Sequence, residues 1–192
     1  MPAVVIGLGN PGGEYNRTRH NVGWMALDEL ESRGRFGREK REGPAKVREG
    51  AVEGFDVVTV RPQTYMNLSG RAAVHVQRKY SAPVEDLIVV HDDVDLPLGR
   101  IRLKRGGGAA GQKGVLSIAD SLRNRDFLRV RIGISRPPDR DGMVDYVLER
   151  FTPDERGTLD SVLSRAADAV LALIRDGLEP AMSEYNRAPD DN

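Results

Sequence analysis

The chain has 192 residues, with 29 Lys and Arg against 29 Asp and Glu and no formal net charge, so no overall field draws it to nucleic acid or to a membrane, and such binding must come from local clusters. It contains no cysteine, which excludes disulfides, zinc–thiolate sites and a thiolate nucleophile. It opens with no basic region followed by a hydrophobic stretch, and no apolar run approaches the roughly 20 residues needed to span a bilayer; a cytoplasmic chain of one domain, burying about 70% of its unfolded surface, is expected.

The first element is a short β-branched run, Val4-Val5-Ile6, which reads as a buried strand. It ends in Gly7-Leu8-Gly9-Asn10-Pro11-Gly12-Gly13 and then Tyr15, Thr18, Arg19, His20 and Asn21. The glycines match G-x-G-x-x-G, the dinucleotide fingerprint, but that motif needs a helix opening inside it. Residues 12 to 19 have two adjacent glycines and no apolar stripe, so the better reading is strand, functional loop, then a helix starting near His20. That helix runs to about Gly34, with Val22, Met25, Ala26, Leu27 and Leu30 at helical spacing and Trp24 on the packing face.

From Arg35 to Gly50 the chain is charged and poor in apolar residues and reads as a mobile connection with one edge strand near Ala45-Lys46-Val47. Phe55 to Val60 is a second central strand, stopped by Pro62. A helix is expected from Leu68 to about Tyr80, with Leu68, Ala72, Val76 and Tyr80 on one face and Asn67 placed to cap it. His75, in its middle, reads as structural or solvent-facing.

Leu87 to Val90 is a third apolar run, ending in His91-Asp92-Asp93-Val94-Asp95. Carboxylates and an imidazole at a strand's C-terminal end lie where open α/β sheets bind ligands. They are also chemically suitable for a divalent metal, although their spacing matches no specific metal motif. Arg100 to Lys104 alternates strictly, three cations on one face and two aliphatics on the other; Arg129 and Arg131 repeat the pattern within Phe127 to Ile134. Neighbouring strands with these faces aligned would make a phosphate-binding patch, and few acids interrupt either strand, which favours that reading over ordinary solvated faces. Between them, Gly106 to Gly114 is a glycine-rich turn before a helix from about Val115 to Leu122. It fails as a P-loop, since Gln112 stands where the lysine should follow Gly111 and no Ser or Thr is placed for magnesium.

The C-terminal third is mainly helical. Thr152-Pro153-Asp154-Glu155 is a capping box with proline at the first helical position. Leu159, Val162, Leu163, Ala166, Val170, Leu173 and Ile174 form one stripe, and Gly177 supplies the stop. Leu178 to Asn186 reads as a further short helix, and the tail, 188–192, is expected to fray.

Taken in order, Gly7 to Gly12 with Tyr15, Thr18 to Asn21, Tyr65-Met66-Asn67-Leu68-Ser69-Gly70, His91 to Pro97, the Gly106 to Gly114 loop and Arg131 to Ile134 resemble the bacterial peptidyl-tRNA hydrolase family over nearly the whole chain. The resemblance implies a single three-layer α/β/α domain, residues 1–187, with a twisted mixed sheet. It implies hydrolysis, without metal or other cofactor, of the ester joining a nascent peptide to the 3′ end of tRNA, by a monomer with no membrane partner. On that carry-over His20 is the general base, Asp92 orients it, and Asn10 and Asn67 hold the ester and polarise its carbonyl. Tyr15, Tyr65 and Met66 would line the groove, and Lys104 and Arg131 would meet tRNA phosphate.

The chain departs from the family where the glycine loop usually ends in His-Asn-Gly: here it reads Gln112-Lys113-Gly114, and Ala109-Ala110 replaces the usual Gly or His. Lysine has no acceptor, so Lys113 cannot reproduce every hydrogen bond of an asparagine, though it could meet phosphate or a carbonyl. A non-catalytic RNA-binding relative and a metal-dependent peptidase built on His91, Asp92, Asp93 and Asp95 are the competing readings.

Overall fold

The molecule is described here from a computed structural model covering residues 1–188. The apolar runs become strands: β1 (Ala3–Gly7), β5 (Phe55–Pro62), β6 (Ile88–Asp93) and β8 (Leu128–Gly133). These four lie parallel in the order β5-β1-β6-β8. Two antiparallel strands extend the row, β4 (Ala45–Val52) beside β5 and β7 (Ile101–Arg105) beside β8. Short strands β2 (Arg35–Phe36) and β3 (Lys40–Glu42) pair with β4, completing a mixed sheet of eight strands.

Alternation along the strands divides the apolar residues between two cores. Val5, Val57 and Val90 face helices α1 (Val22–Ser32), α5 (Arg156–Asp176) and α6 (Leu178–Tyr185). Ile6, Val58, Val60 and Val89 face α2 (Gly70–Lys79) and α3 (Lys113–Leu122). The result is the three-layer arrangement expected, with all parallel strands ending at one edge of the sheet. The capping box before α5 forms, the Thr152 N–H donating to Glu155 Oε2 at 2.7 Å, and Gly177 ends α5 with φ +83°. A left-handed backbone there favours glycine over any side chain.

Several expectations are corrected. Residues 35–50 are not a mobile connection: they build β2, β3 and most of β4, and β4 pairs with β5 from Ala45↔Pro62 to Val52↔Phe55. Only Ala45, Val47 and Val52 of β4 are buried, while outward charges pair with one another, as Lys46 with Glu39 at 3.0 Å. So few inward residues conceal a strand period. The helix expected from Leu68 starts at Gly70, after a 3-10 turn over Met66–Leu68. Asn67 caps nothing; Ser69 Oγ donates to the Met66 carbonyl instead, and Leu68 is exposed rather than part of the buried face. The tail expected to fray, 188–192, lies outside the described residues from 189 onward. Helix α4 (Met143–Leu148) was not anticipated at all.

Candidate active site

Two loops and one strand end meet at the C-terminal edge of the parallel strands. A 3-10 turn over Arg19–Asn21 leads into α1 and carries His20. Its position depends on how closely α1 approaches the sheet: a Cβ on Gly23 would lie 2.4 Å from the Val90 carbonyl and 2.7 Å from Leu8. With hydrogen in that place, His20 Nδ1 comes within 2.8 Å of Asp92 Oδ2 at the end of β6.

Asp92 is almost wholly buried, and both its oxygens are used. Oδ2 meets His20, and Oδ1 accepts from Gln112 Nε2 at 2.9 Å. Gln112 precedes α3 and is its cap, its Oε1 accepting the Val115 N–H at 2.9 Å. Burial opposes the Asp92 charge, but His20 and the Gln112 hydrogen bond outweigh it and hold the carboxyl below its ordinary value. Burial likewise opposes a charged His20. The Asp92 carboxylate and its hydrogen bond overcome this, with the Lys113 charge pulling the other way, and the imidazole is held above its ordinary value.

Asn10 is fixed on three sides. Its backbone N–H donates to Asn21 Oδ1 at 2.9 Å, its carbonyl accepts from Asn21 Nδ2 at 3.0 Å, and its side-chain Oδ1 accepts the Met66 N–H at 2.7 Å. With Oδ1 occupied, Nδ2 is the part of the side chain available to an incoming acceptor.

These groups line an open cleft of about 570 Å³. Asn10, His20, Tyr65, Met66, Asn67, Asp92 and Lys113 all border it, so most of the sequence-derived residues converge. Tyr15 is not among the lining residues; its ring meets Tyr65 edge-on, centroids 6.3 Å apart. A further wall is Met143, Val144, Val147 and Leu148 of α4. An imidazole held by a carboxylate at one nitrogen can take a proton from water with the other, and amide donors beside it can stabilise an oxyanion.

Sequence reasoning missed three contributions. Gln112 appeared only as a departure from a motif, Asn21 only as a helix start and a member of the family motif, and α4 not at all. Arg19 joins this last wall to the catalytic turn: its N–H donates to the Glu149 carbonyl at 2.9 Å, its guanidinium to the Tyr146 carbonyl and to Glu155 at 3.1 Å each. It also lies 4.1 Å from the centroid of the Tyr146 ring. No local signal marked Arg19: its burial, and the partners a buried charge requires, come only from the fold.

Strands β7 and β8 do adjoin, Arg102 opposite Arg131 and Lys104 opposite Arg129. Their cationic faces are aligned but unequal. Arg129 is buried, donating to His91 Nε2 at 3.1 Å and the Gly108 carbonyl at 2.7 Å, so it is not surface for phosphate. Arg131 pairs with Asp93 at 2.7 Å. Burial, followed by the Arg129 and Arg131 charges, pulls Lys104 down from its ordinary value. His91, buried against Arg129, is pushed down to about 4 by desolvation first and that charge second.

A three-layer α/β domain with a carboxylate-held imidazole and fixed amides in an open cleft has the layout of a general-base hydrolase. The comparisons narrow this. Residues 4–192 match the family model described as peptidyl-tRNA hydrolase. The peptidyl-tRNA hydrolase of Nocardia farcinica is 48% identical over 187 residues, covering 96% of each chain, and that of Mycobacterium avium is 49% identical over 187 residues, 96% of this chain and 97% of the other. The crystal structure of peptidyl-tRNA hydrolase from Acinetobacter baumannii superposes with a TM-score of 0.89 at 33% identity, covering 96% of this chain and 94% of that one. The chain belongs to the peptidyl-tRNA hydrolase family.

Proposed function

We propose that this protein hydrolyses the ester between a nascent peptide and the 3′ end of tRNA, returning tRNA from aborted translation. The observation that carries this reading is the His20–Asp92 pair, 2.8 Å apart at one end of a cleft that also presents Asn10. His20 Nε2 removes a proton as water attacks the acyl carbon. Asn10 Nδ2 and Asn67 stabilise the oxyanion that forms, and Asp92 favours the imidazolium. The intermediate collapses by breaking the bond to the ribose oxygen, which takes the proton back from His20. The products are a peptide carboxylate and tRNA with a free terminal hydroxyl. An acyl ester is already activated, so a positioned base and oxyanion donors, each worth roughly 10²-fold or more, meet the need.

Tyr65 and Met66, with Tyr15 behind Tyr65 in the ring contact, are assigned to the terminal nucleotide and peptide; Lys104 and Arg131 are assigned to phosphate. Metal-free chemistry is supported by how the candidate ligands are spent. His91 is bonded to Arg129, Asp93 to Arg131 and Asp95 to Arg136, and alternation turns the His91 side chain to the opposite face of β6 from Asp92. No helix among the described residues is long and apolar enough to cross a membrane. The same reading has one domain, residues 1–187, acting in the cytoplasm as a monomer. The test is release of the N-acetylated amino acid from N-acetyl-aminoacyl-tRNA in EDTA, with His20→Ala beside the wild type. Release by wild type alone supports the reading; dependence on added metal, or equal activity of the variant, overturns it.

A further inference from the structure

Five charged or imidazole side chains line the cleft: His20, Asp92, Asp93, Lys113 and Arg136. Four have partners. Asp92 is bound by His20 and Gln112, Asp93 by Arg131, and Arg136 by Asp95. Lys113 has no ion pair among the described residues, and it is exposed to the cleft as the first residue of α3. The cleft's one uncompensated charge is therefore a cation, one residue from the glutamine that touches Asp92. Its charge is felt at His20, where it opposes protonation.

Resting on the hydrolase reading above, the next question is which acyl esters the cleft accepts. Peptidyl-tRNA and aminoacyl-tRNA share the tRNA, the ester and the α-carbon; they differ in that one α-nitrogen is a neutral amide and the other an ammonium. That ammonium lies two bonds from the carbonyl carbon which His20 must serve. It also withdraws electrons and makes its ester the more reactive of the two, so intrinsic chemistry cannot spare it. We propose that the Lys113 ammonium is a specificity determinant that repels the α-ammonium of aminoacyl esters, biasing the cleft toward acyl groups whose α-nitrogen is uncharged. Like charges sharing a cleft open to water, separated by several ångströms, give a penalty on the order of threefold to tenfold in rate constant. Phosphate recognition further along the tRNA is common to both substrates and cannot supply this discrimination.

The test compares kcat/KM on three esters of one tRNA: N-acetyl-aminoacyl, free aminoacyl, and a hydroxyacyl ester in which a hydroxyl replaces the amine. Wild type, Lys113→Met and Lys113→Glu are measured side by side. The ratio of N-acetyl to aminoacyl activity cancels any change in His20 common to both substrates. It should fall about threefold to tenfold in Lys113→Met and further in Lys113→Glu, while the ratio of N-acetyl to hydroxyacyl activity stays level. In wild type the first ratio should also narrow as pH rises through the α-amine pKa, at about 8 or below. An N-acetyl to aminoacyl ratio that is the same in all three proteins overturns the proposal. So does a hydroxyacyl ester rejected by wild type as strongly as the aminoacyl one, since the cleft would then be reading the amide itself. No hydrolysis of the N-acetyl ester by wild type would instead overturn the hydrolase reading, and the proposal with it.

Discussion

Gln112 Nε2 donates to Asp92 Oδ1 at 2.9 Å, on the carboxylate oxygen that His20 does not use. The same side chain caps α3 through its other atom, so the start of that helix and the orientation of the catalytic carboxylate are set by one amide. Gln112→Ala leaves a buried carboxylate oxygen without a donor, at a cost of about 1–3 kcal/mol. We expect thermal stability to fall, and kcat to fall roughly tenfold with KM little changed, because Asp92 can then turn away from His20. Loss of stability with kcat intact would show Gln112 to be a cap only.

The raised His20 pKa has a definite sign in the rate profile. A base acts in its neutral form, so kcat/KM must fall as pH drops through the His20 pKa, and that limb should lie above the ordinary value of 6.5. Asp92→Asn leaves burial unopposed, moves the limb to lower pH and removes support for the correct tautomer; kcat should drop by about 10²–10⁴. The check is a pH–rate profile of both proteins under conditions where chemistry limits turnover.

Arg19 bonds the His20 turn to α4 through the Tyr146 carbonyl and the Glu149 backbone. Arg19→Lys keeps the charge but loses the planar contact over the Tyr146 ring and the second arm of the fork. Raised KM, with stability lower by about 2–4 kcal/mol, is expected, the latter from disturbing a buried charge. Substrate titrations and urea unfolding would separate the two effects; an unchanged KM would show that the α4 wall stands without Arg19.

His91 is buried in its neutral form with its pKa down at about 4 against an ordinary 6.5. Between those values the unfolded chain binds the proton that the folded chain refuses, so stability must decline as pH falls from about 6.5 to about 4. The contribution is on the order of 2–3 kcal/mol. His91→Gln, which can still accept from Arg129, should flatten that part of the curve. Urea denaturation of both proteins at several pH values in this window measures it.

On the cationic face, Lys104 has no ion pair among the described residues whereas Arg131 shares its charge with Asp93. Lys104→Ala should weaken tRNA binding and reduce the slope of log K against log salt by about 0.7–0.9. Arg131→Ala should reduce it less, because Asp93 already compensates the Arg131 charge and leaves little of it for phosphate. Equal salt slopes for Lys104→Ala and wild type would remove Lys104 from the phosphate surface.

Much of the molecule was legible locally. Central strands buried on both sides show as β-branched runs, α5 shows its cap, stripe and stop, and Asn10, His20 and Asp92 stand at strand or loop ends in ordered motifs. These signals are properties of neighbouring residues: a side-chain period, a proline, a glycine with positive φ. The same alternation that marked Arg129 and Arg131 as cations on one strand face could not say that the glycine loop folds over the first while the second finds Asp93.

What the sequence by itself determined was therefore which segments form the central strands and the longer helices, and which polar residues end up at the ligand edge of the sheet. Only the tertiary structure decided that residues 35–50 pair as strands, that α4 forms a wall of the cleft, that Gln112 holds Asp92, and that Lys113 has no ion pair among the described residues. The physical reason is that burial and electrostatic compensation are long-range. A charge is neutralised, buried or free according to what the fold brings opposite it, and nothing in its own stretch of chain records that partner.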